Sequence, residues 1–185
     1  MRGARALAAG LAVLTLLAGC ASVPPAVPAP TPTPAQPTAE PITGRLALQV
    51  EAHADQPARH YGSAFELHGD AQAGALMLSS PLGTTLAQAQ WQPGEVRLAT
   101  AEGERRHADL DTMVRELFGE ALPLAALFDW LRGRPWSGAP SEATVTGFDQ
   151  LGWRVDTARH AEGWVLLRRA QPPAVSVRVR LDGPR

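Results

Sequence analysis

The 185-residue chain is 45% hydrophobic and carries 17 basic against 18 acidic residues, a net charge of −1. That size suits one packed domain rather than two large ones; every basic residue is an arginine, none stands in a long run, and the balance excludes a chain-wide positive field for nucleic acid. The single cysteine, Cys20, excludes an intramolecular disulfide and a cysteine-rich metal site.

Met1-Arg2-Gly3-Ala4-Arg5 is a short basic region, and Ala6–Ala18 is an apolar run broken only by Gly10 and Thr15. The run is shorter than the roughly 20 residues a permanent span needs, so residues 1–19 read as a cleaved export signal. Leu17-Ala18-Gly19-Cys20 resembles the bacterial lipobox, which implies acylation of the Cys20 thiol and cleavage that leaves Cys20 as the first residue. Each buried CH₂ contributes about 0.8 kcal/mol, and two or more chains make a stable anchor. In the lipoproteins this segment resembles, an Asp after the cysteine signals retention at the inner membrane. Ala21 and Ser22 stand there instead, which implies the outer membrane, facing the periplasm.

Residues 20–41 form a tether with eight of the chain's 17 prolines and no charge before Glu40. Such a segment builds no core and favours polyproline II, which at about 3.1 Å per residue reaches roughly 60 Å when fully extended.

The folded domain, residues 42–185, begins with Ile42–Glu51, which alternates apolar and polar with the period of a strand wet on one face. Further strands are predicted over Tyr61–His68, Ala75–Ser79, Thr84–Trp91 and Glu95–Thr100, separated by Gly69-Asp70, Pro81-Leu82-Gly83 and Pro93-Gly94. Short connections favour an antiparallel meander. After Asp109, a candidate N-cap, the period changes: Leu110, Met113, Val114 and Leu117 mark a helix stopped by Gly119. Pro123 opens a second helix with Leu124, Leu127, Phe128 and Leu131 on one face, ended by Gly133 and Pro135. Strands resume over Thr144–Gly147, Gly152–Thr157, Trp164–Arg168 and Val175–Leu181. The pattern predicts an α+β fold, mainly β: an incomplete antiparallel barrel of roughly nine to eleven strands with two helices as a lid. Composition leaves open whether lid and sheet enclose a filled core or a cavity. Trp130 and Trp153 read as buried anchors and Trp136 as a residue at the lid's edge.

No catalytic constellation emerges. His53, His60, His68, His107 and His160 are dispersed without His-x-x-x-His or His-Glu-x-x-His spacing and read as surface residues; Ser79-Ser80 lacks a Gly-x-Ser-x-Gly elbow. There is no lysine, hence no phosphate-binding Gly-x-x-x-x-Gly-Lys loop for ATP. No enzyme, metal or cofactor is expected. In Pro81-Leu82-Gly83, a leucine between Pro and Gly at a tight turn either folds back in an ordinary hairpin or projects into solvent as a small apolar probe.

Taken in order, Gly44-Arg45-Leu46, Phe65, Leu78-Ser79-Ser80-Pro81-Leu82-Gly83-Thr84, Pro93-Gly94, Leu122-Pro123-Leu124 with Leu127 and Trp130-Leu131-Arg132-Gly133-Arg134-Pro135, and Gly147-Phe148-Asp149-Gln150-Leu151-Gly152-Trp153 resemble the outer-membrane lipoprotein receptor family LolB. The resemblance spans nearly the whole mature domain. Glu66 departs from it, standing where the family more often has an aromatic, as does the end Asp182-Gly183-Pro184-Arg185, which lacks the usual terminal Trp. The resemblance implies a monomer whose apolar cavity accepts acyl chains of lipoprotein cargo from the soluble periplasmic carrier LolA. The cargo is then delivered without ATP into the inner leaflet of the outer membrane, and Leu82, flanked by Pro81 and Gly83, serves membrane insertion. Leu46, Leu48, Phe65, Leu127, Phe128, Leu131 and Trp153 are the expected cavity lining. A lipoprotein adaptor that binds protein with its apolar face is the alternative, and acyl-chain occupancy discriminates the two.

Overall fold

A computed structural model describes residues 40–183; the signal, Cys20 and nearly all of the tether lie outside the described residues. The chain forms β1 (Ile42–Val50), β2 (Arg59–Gly69), β3 (Gly74–Ser79), β4 (Thr85–Gln92), β5 (Glu95–Thr100) and β6 (Gly103–His107). Two helices follow, α1 (Leu110–Phe118) and α2 (Leu124–Trp130), and then β7 (Ser141–Thr144), β8 (Gly147–Gln150), β9 (Trp153–Asp156), β10 (Trp164–Arg169) and β11 (Val175–Leu181). All eleven strands belong to one antiparallel sheet of order β6-β5-β4-β3-β2-β1-β11-β10-β9-β8-β7. This is the expected incomplete barrel.

Period-two alternation decides which side of the sheet is dry. Leu48 and Val50 of β1, Leu76 and Leu78 of β3, Ala87, Ala89 and Trp91 of β4, and Val175, Val177 and Val179 of β11 are buried, with wetter residues between them. The sheet stays open because its two edges, β6 and β7, are consecutive in the chain, and the segment joining them is the helical pair that covers the concave face. Burial drives that covering: Met113, Val114 and Phe118 of α1 and Leu124, Ala126, Phe128 and Trp130 of α2 all lie in the core.

Local chemistry sets the helix ends. Asp109 caps α1, its carboxylate accepting from Thr112 N at 2.7 Å, and Gly119 closes the helix in the left-handed region at φ 70°, donating to the Arg115 carbonyl at 2.8 Å. That backbone hydrogen bond to Thr112 is the main cause that holds the Asp109 carboxyl below the usual carboxylate range. Gly44 is required by close approach: a Cβ there would strike the Arg180 carbonyl on β11 and the Phe65 ring on β2.

Two elements differ from the sequence-based expectation. β6 is Gly-Glu-Arg-Arg-His, almost wholly wet, and offers no apolar alternation; it is a strand because a tight hairpin pairs it with β5 from Val96↔His107 to Thr100↔Gly103. The strand expected over Thr144–Gly147 is instead the end of β7, a turn and the start of β8, with Thr144 opposite Gly147. Val145, within the range expected to be a strand, is fully exposed at the tip.

Candidate functional site

Between α1, α2 and the concave face lies a cavity of about 50 Å³. Its walls are apolar throughout, with Leu46, Leu48, Phe65, Leu67, Val177 and Val179 from the sheet and Phe118, Leu122, Leu124, Leu127 and Leu131 from the helical segment. Trp130 and Trp153 also line it, their ring centroids 6.4 Å apart. Pockets that hold a small organic ligand run to roughly 300–1,000 Å³, so in this arrangement the lid closes over a space far smaller than an acyl chain requires.

Of the residues expected in the lining, Leu46, Leu48, Phe65, Leu127, Leu131 and Trp153 face this cavity and Phe128 does not. Consecutive helical residues point about 100° apart. With Leu127 turned into the cavity, Phe128 is directed to β4, where its ring meets Trp91 edge-on at 6.1 Å. Glu66 lies on the outer face, its Oε1 2.6 Å from His68 Nε2, and leaves the cavity untouched.

Two ties hold the end of α2, one to β8 and one to the β9–β10 connection. Gln150 is buried at 3% exposure, and all four hydrogen-bonding positions of its amide are filled. Its Oε1 accepts from Trp130 Nε1 at 2.7 Å and from Trp136 N at 2.9 Å, while its Nε2 donates to the carbonyls of Trp136 and Ala139, both at 2.7 Å. Half-buried Trp136 is thereby fixed against the core rather than left at a free edge. His160 Nε2 lies 2.9 Å from the Leu131 carbonyl, the second tie. His107 also departs from the surface reading: its side chain is 5% exposed beneath α1, with Nε2 3.6 Å from Glu116 Oε2.

The connector between α1 and α2 is clamped separately. Glu120, with an 11% exposed side chain, accepts from Arg59 of β2 at 2.9 Å and from Arg169 of β10 at 2.8 Å. Arg169 also donates to the carbonyls of Ala121 and Pro173 and lies 5.5 Å from the Trp153 ring centroid. Sequence reading missed both Gln150's role and this clamp. The motif around Gln150 was visible, but its partners lie 11 to 20 residues away, and the clamp's lie 49 and 61.

Leu82 is 95% exposed at the tip of the β3–β4 turn. The turn is closed beneath it: Gly83 N donates to the Ser80 carbonyl at 2.9 Å, and Ser80 N to the Thr84 carbonyl at 2.8 Å. Gly83 adopts φ 85°, a conformation that favours glycine. Leu86, 45% exposed, continues the apolar surface onto β4. Strand register places this turn at the same end of the sheet as the β1–β2 and β10–β11 connections, where Arg59 and Arg169 hold Glu120.

Residues 41–181 match the family model described as outer membrane lipoprotein LolB. Among similar proteins, the outer-membrane lipoprotein LolB of Bordetella petrii is 35% identical over 191 residues, covering 96% of this chain and 92% of that protein. Those of Dechloromonas aromatica and Chromobacterium violaceum are 38% and 30% identical, covering 79% and 82% of this chain and 77% and 82% of theirs.

Proposed function

This chain belongs to the LolB family of outer-membrane lipoproteins, whose role is lipoprotein localisation, and from that premise we propose that it receives acylated lipoproteins from a LolA-type periplasmic carrier and passes them to the outer membrane. The observation that carries the reading is the wholly apolar cavity under a two-helix lid. An acyl chain is what such walls recognise: each CH₂ sequestered from water is worth about 0.8 kcal/mol. Exchange between two carriers then follows the difference in cavity quality, about tenfold for each 1.4 kcal/mol, without nucleotide hydrolysis.

Acceptance has a structural requirement. A cavity of about 50 Å³ must widen, and the lid is the element whose displacement would widen it, through release of α1, α2 and the connector that Glu120 fixes. Cys20 carries the lipid anchor, residues 20–41 span from bilayer to domain, and residues 42–185 do the binding. Leu82, between Pro81 and Gly83, enters the bilayer surface during delivery.

The experiment is cargo transfer with Leu82→Glu. An exposed substitution of this kind shifts stability by less than about 0.5 kcal/mol, so the fold stays intact. Loaded from the carrier, the variant is expected to accept acylated cargo as the unsubstituted protein does and to fail in passing it to liposomes. Normal delivery, or equal loss of acceptance and delivery, refutes a separate insertion role for the turn. Uptake of non-acylated cargo to the same extent refutes acyl-chain recognition and favours the adaptor.

A further inference from the structure

The convex face of the sheet, opposite the cavity, carries a feature that the cavity does not explain. Alternation on β1, β11 and β10 sends Leu46, Val177, Val179 and Leu167 inward, and therefore sends Arg45, Arg178, Arg180 and Arg168 outward, where all four are exposed. Register then sets arginine against arginine: Arg45 lies opposite Arg180, and Arg168 opposite Arg154. Like charges directly across a strand pair are destabilising, and a chain of net charge −1 has acids enough to avoid them.

Acids compensate this face only in part, Glu66 being paired with His68 at 2.6 Å. Asp149 engages Arg154 with two hydrogen bonds of 2.9 Å, but among the described residues no carboxylate lies within ion-pair distance of Arg45, Arg168, Arg178 or Arg180. Glu162, near Arg180, is taken by Arg159 at 2.6 and 2.9 Å. Half-buried Trp164 lies beneath both Arg180 and Arg159, whose guanidinium carbons stand 5.3 and 5.9 Å from its ring centroid.

We propose that this convex arginine face docks on the anionic phospholipid headgroups of the membrane to which the chain is tethered. Guanidinium forks left without carboxylate partners suit lipid phosphates, which they can bind bidentately. Tryptophan and arginine are both residues that anchor proteins at the headgroup level of bilayers. The tether argues for the same partner: Arg45 is the fourth residue of β1, and the chain leading from Cys20 to Glu40, which as polyproline II reaches roughly 60 Å, carries no charge before Glu40 to compete for the face. The inference rests on membrane anchoring in the proposed function and is independent of cargo acceptance.

The test uses a chain beginning at Ala21, which lacks signal and lipid but keeps the tether and the whole described sheet, core and lid. It is sedimented with vesicles of phosphatidylcholine, with and without phosphatidylglycerol. The expected result is at least about tenfold more binding to the anionic vesicles at low salt, the excess vanishing at high salt. Arg45→Gln/Arg178→Gln/Arg180→Gln removes that excess while the melting temperature holds or rises, because the Arg45–Arg180 opposition is relieved. Should the triple variant unfold, the single reversal Arg178→Glu, whose register neighbours are Ala47 and Leu166, is expected to reduce the excess. Leu82→Glu keeps the salt-sensitive excess, and the arginine variants keep normal acceptance of acylated cargo, so failure of this inference is separable from failure of the transfer reading. Equal binding to neutral and anionic vesicles, or wild-type binding by the arginine variants, overturns it.

Discussion

Gln150→Leu tests whether one buried amide fastens the lid. The side chain is 3% exposed, and leucine fills nearly its volume, so the change leaves little cavity. Its effect is to strand four polar groups. Trp130 is fully buried, and its indole N–H, left without an acceptor, costs about 1–3 kcal/mol. The Trp136 amide and the Trp136 and Ala139 carbonyls are only part-buried, so water can reach them and each costs less, about 0.5–1 kcal/mol. Apolar burial of the new leucine returns part of the loss, for a net of about 3 kcal/mol. For a domain of this size that lowers Tm by roughly 6–12 °C. Thermal unfolding followed by circular dichroism measures it. A double-mutant cycle with Trp130→Phe should show the two losses to be non-additive by about 1 kcal/mol, since both remove one hydrogen bond. A Tm within about 2 °C of the unsubstituted protein, or strict additivity, refutes the claim that this amide holds α2 down.

Glu120→Ala leaves the buried Arg169 and the partly exposed Arg59 without a counter-charge and is expected to cost about 1–3 kcal/mol, water screening part of the loss at Arg59, and to increase binding of an apolar fluorescent dye as the connector loosens; unchanged melting and dye binding refute the clamp. Leu127→Glu puts a carboxylate against the cavity, a loss of several kcal/mol; in protein shown to be folded, acceptance of acylated cargo should fall sharply, and normal acceptance means that α2 does not line the acyl-chain path. Asp109→Ala removes the cap of α1. Because the folded-state carboxyl is held below its ordinary range, its contribution is present above that range and is lost as pH falls through the folded value. The Tm gap between variant and unsubstituted protein should therefore be open at neutral pH and close in acid; a gap independent of pH contradicts the cap's charge dependence.

Local chemistry was enough to read most elements from the residues. The alternation in β1 and β11, the stripe of α1 between Asp109 and Gly119, and the position of the β3–β4 turn depend on residues within a few positions of one another, and the structure reproduces each; that Leu82 projects from this turn was implied by the family resemblance and not by the turn residues alone. Trp130 and Trp153 are buried as their size and setting implied. Where local chemistry was ambiguous, pairing decided. β6 has no apolar face and exists because β5 supplies its hydrogen bonds, and Val145 belongs to a turn because Thr144 meets Gly147.

Tertiary structure alone decided what the helices do. Leu127 and Phe128 are equally apolar neighbours on α2, and only the position of Trp91 on β4 determines that one faces the cavity and the other turns away. The clamp needs Arg59, Glu120 and Arg169 together, and they meet only because β1 and β11 stand side by side at the centre of the sheet, with β2 and β10 flanking them. The same adjacency assembles the convex arginine face from positions as distant as Arg45 and Arg180. Periodicity is a property of a few consecutive residues and survives in the sequence. Which strands become neighbours depends on how the whole apolar surface is buried at once, and that no local stretch encodes.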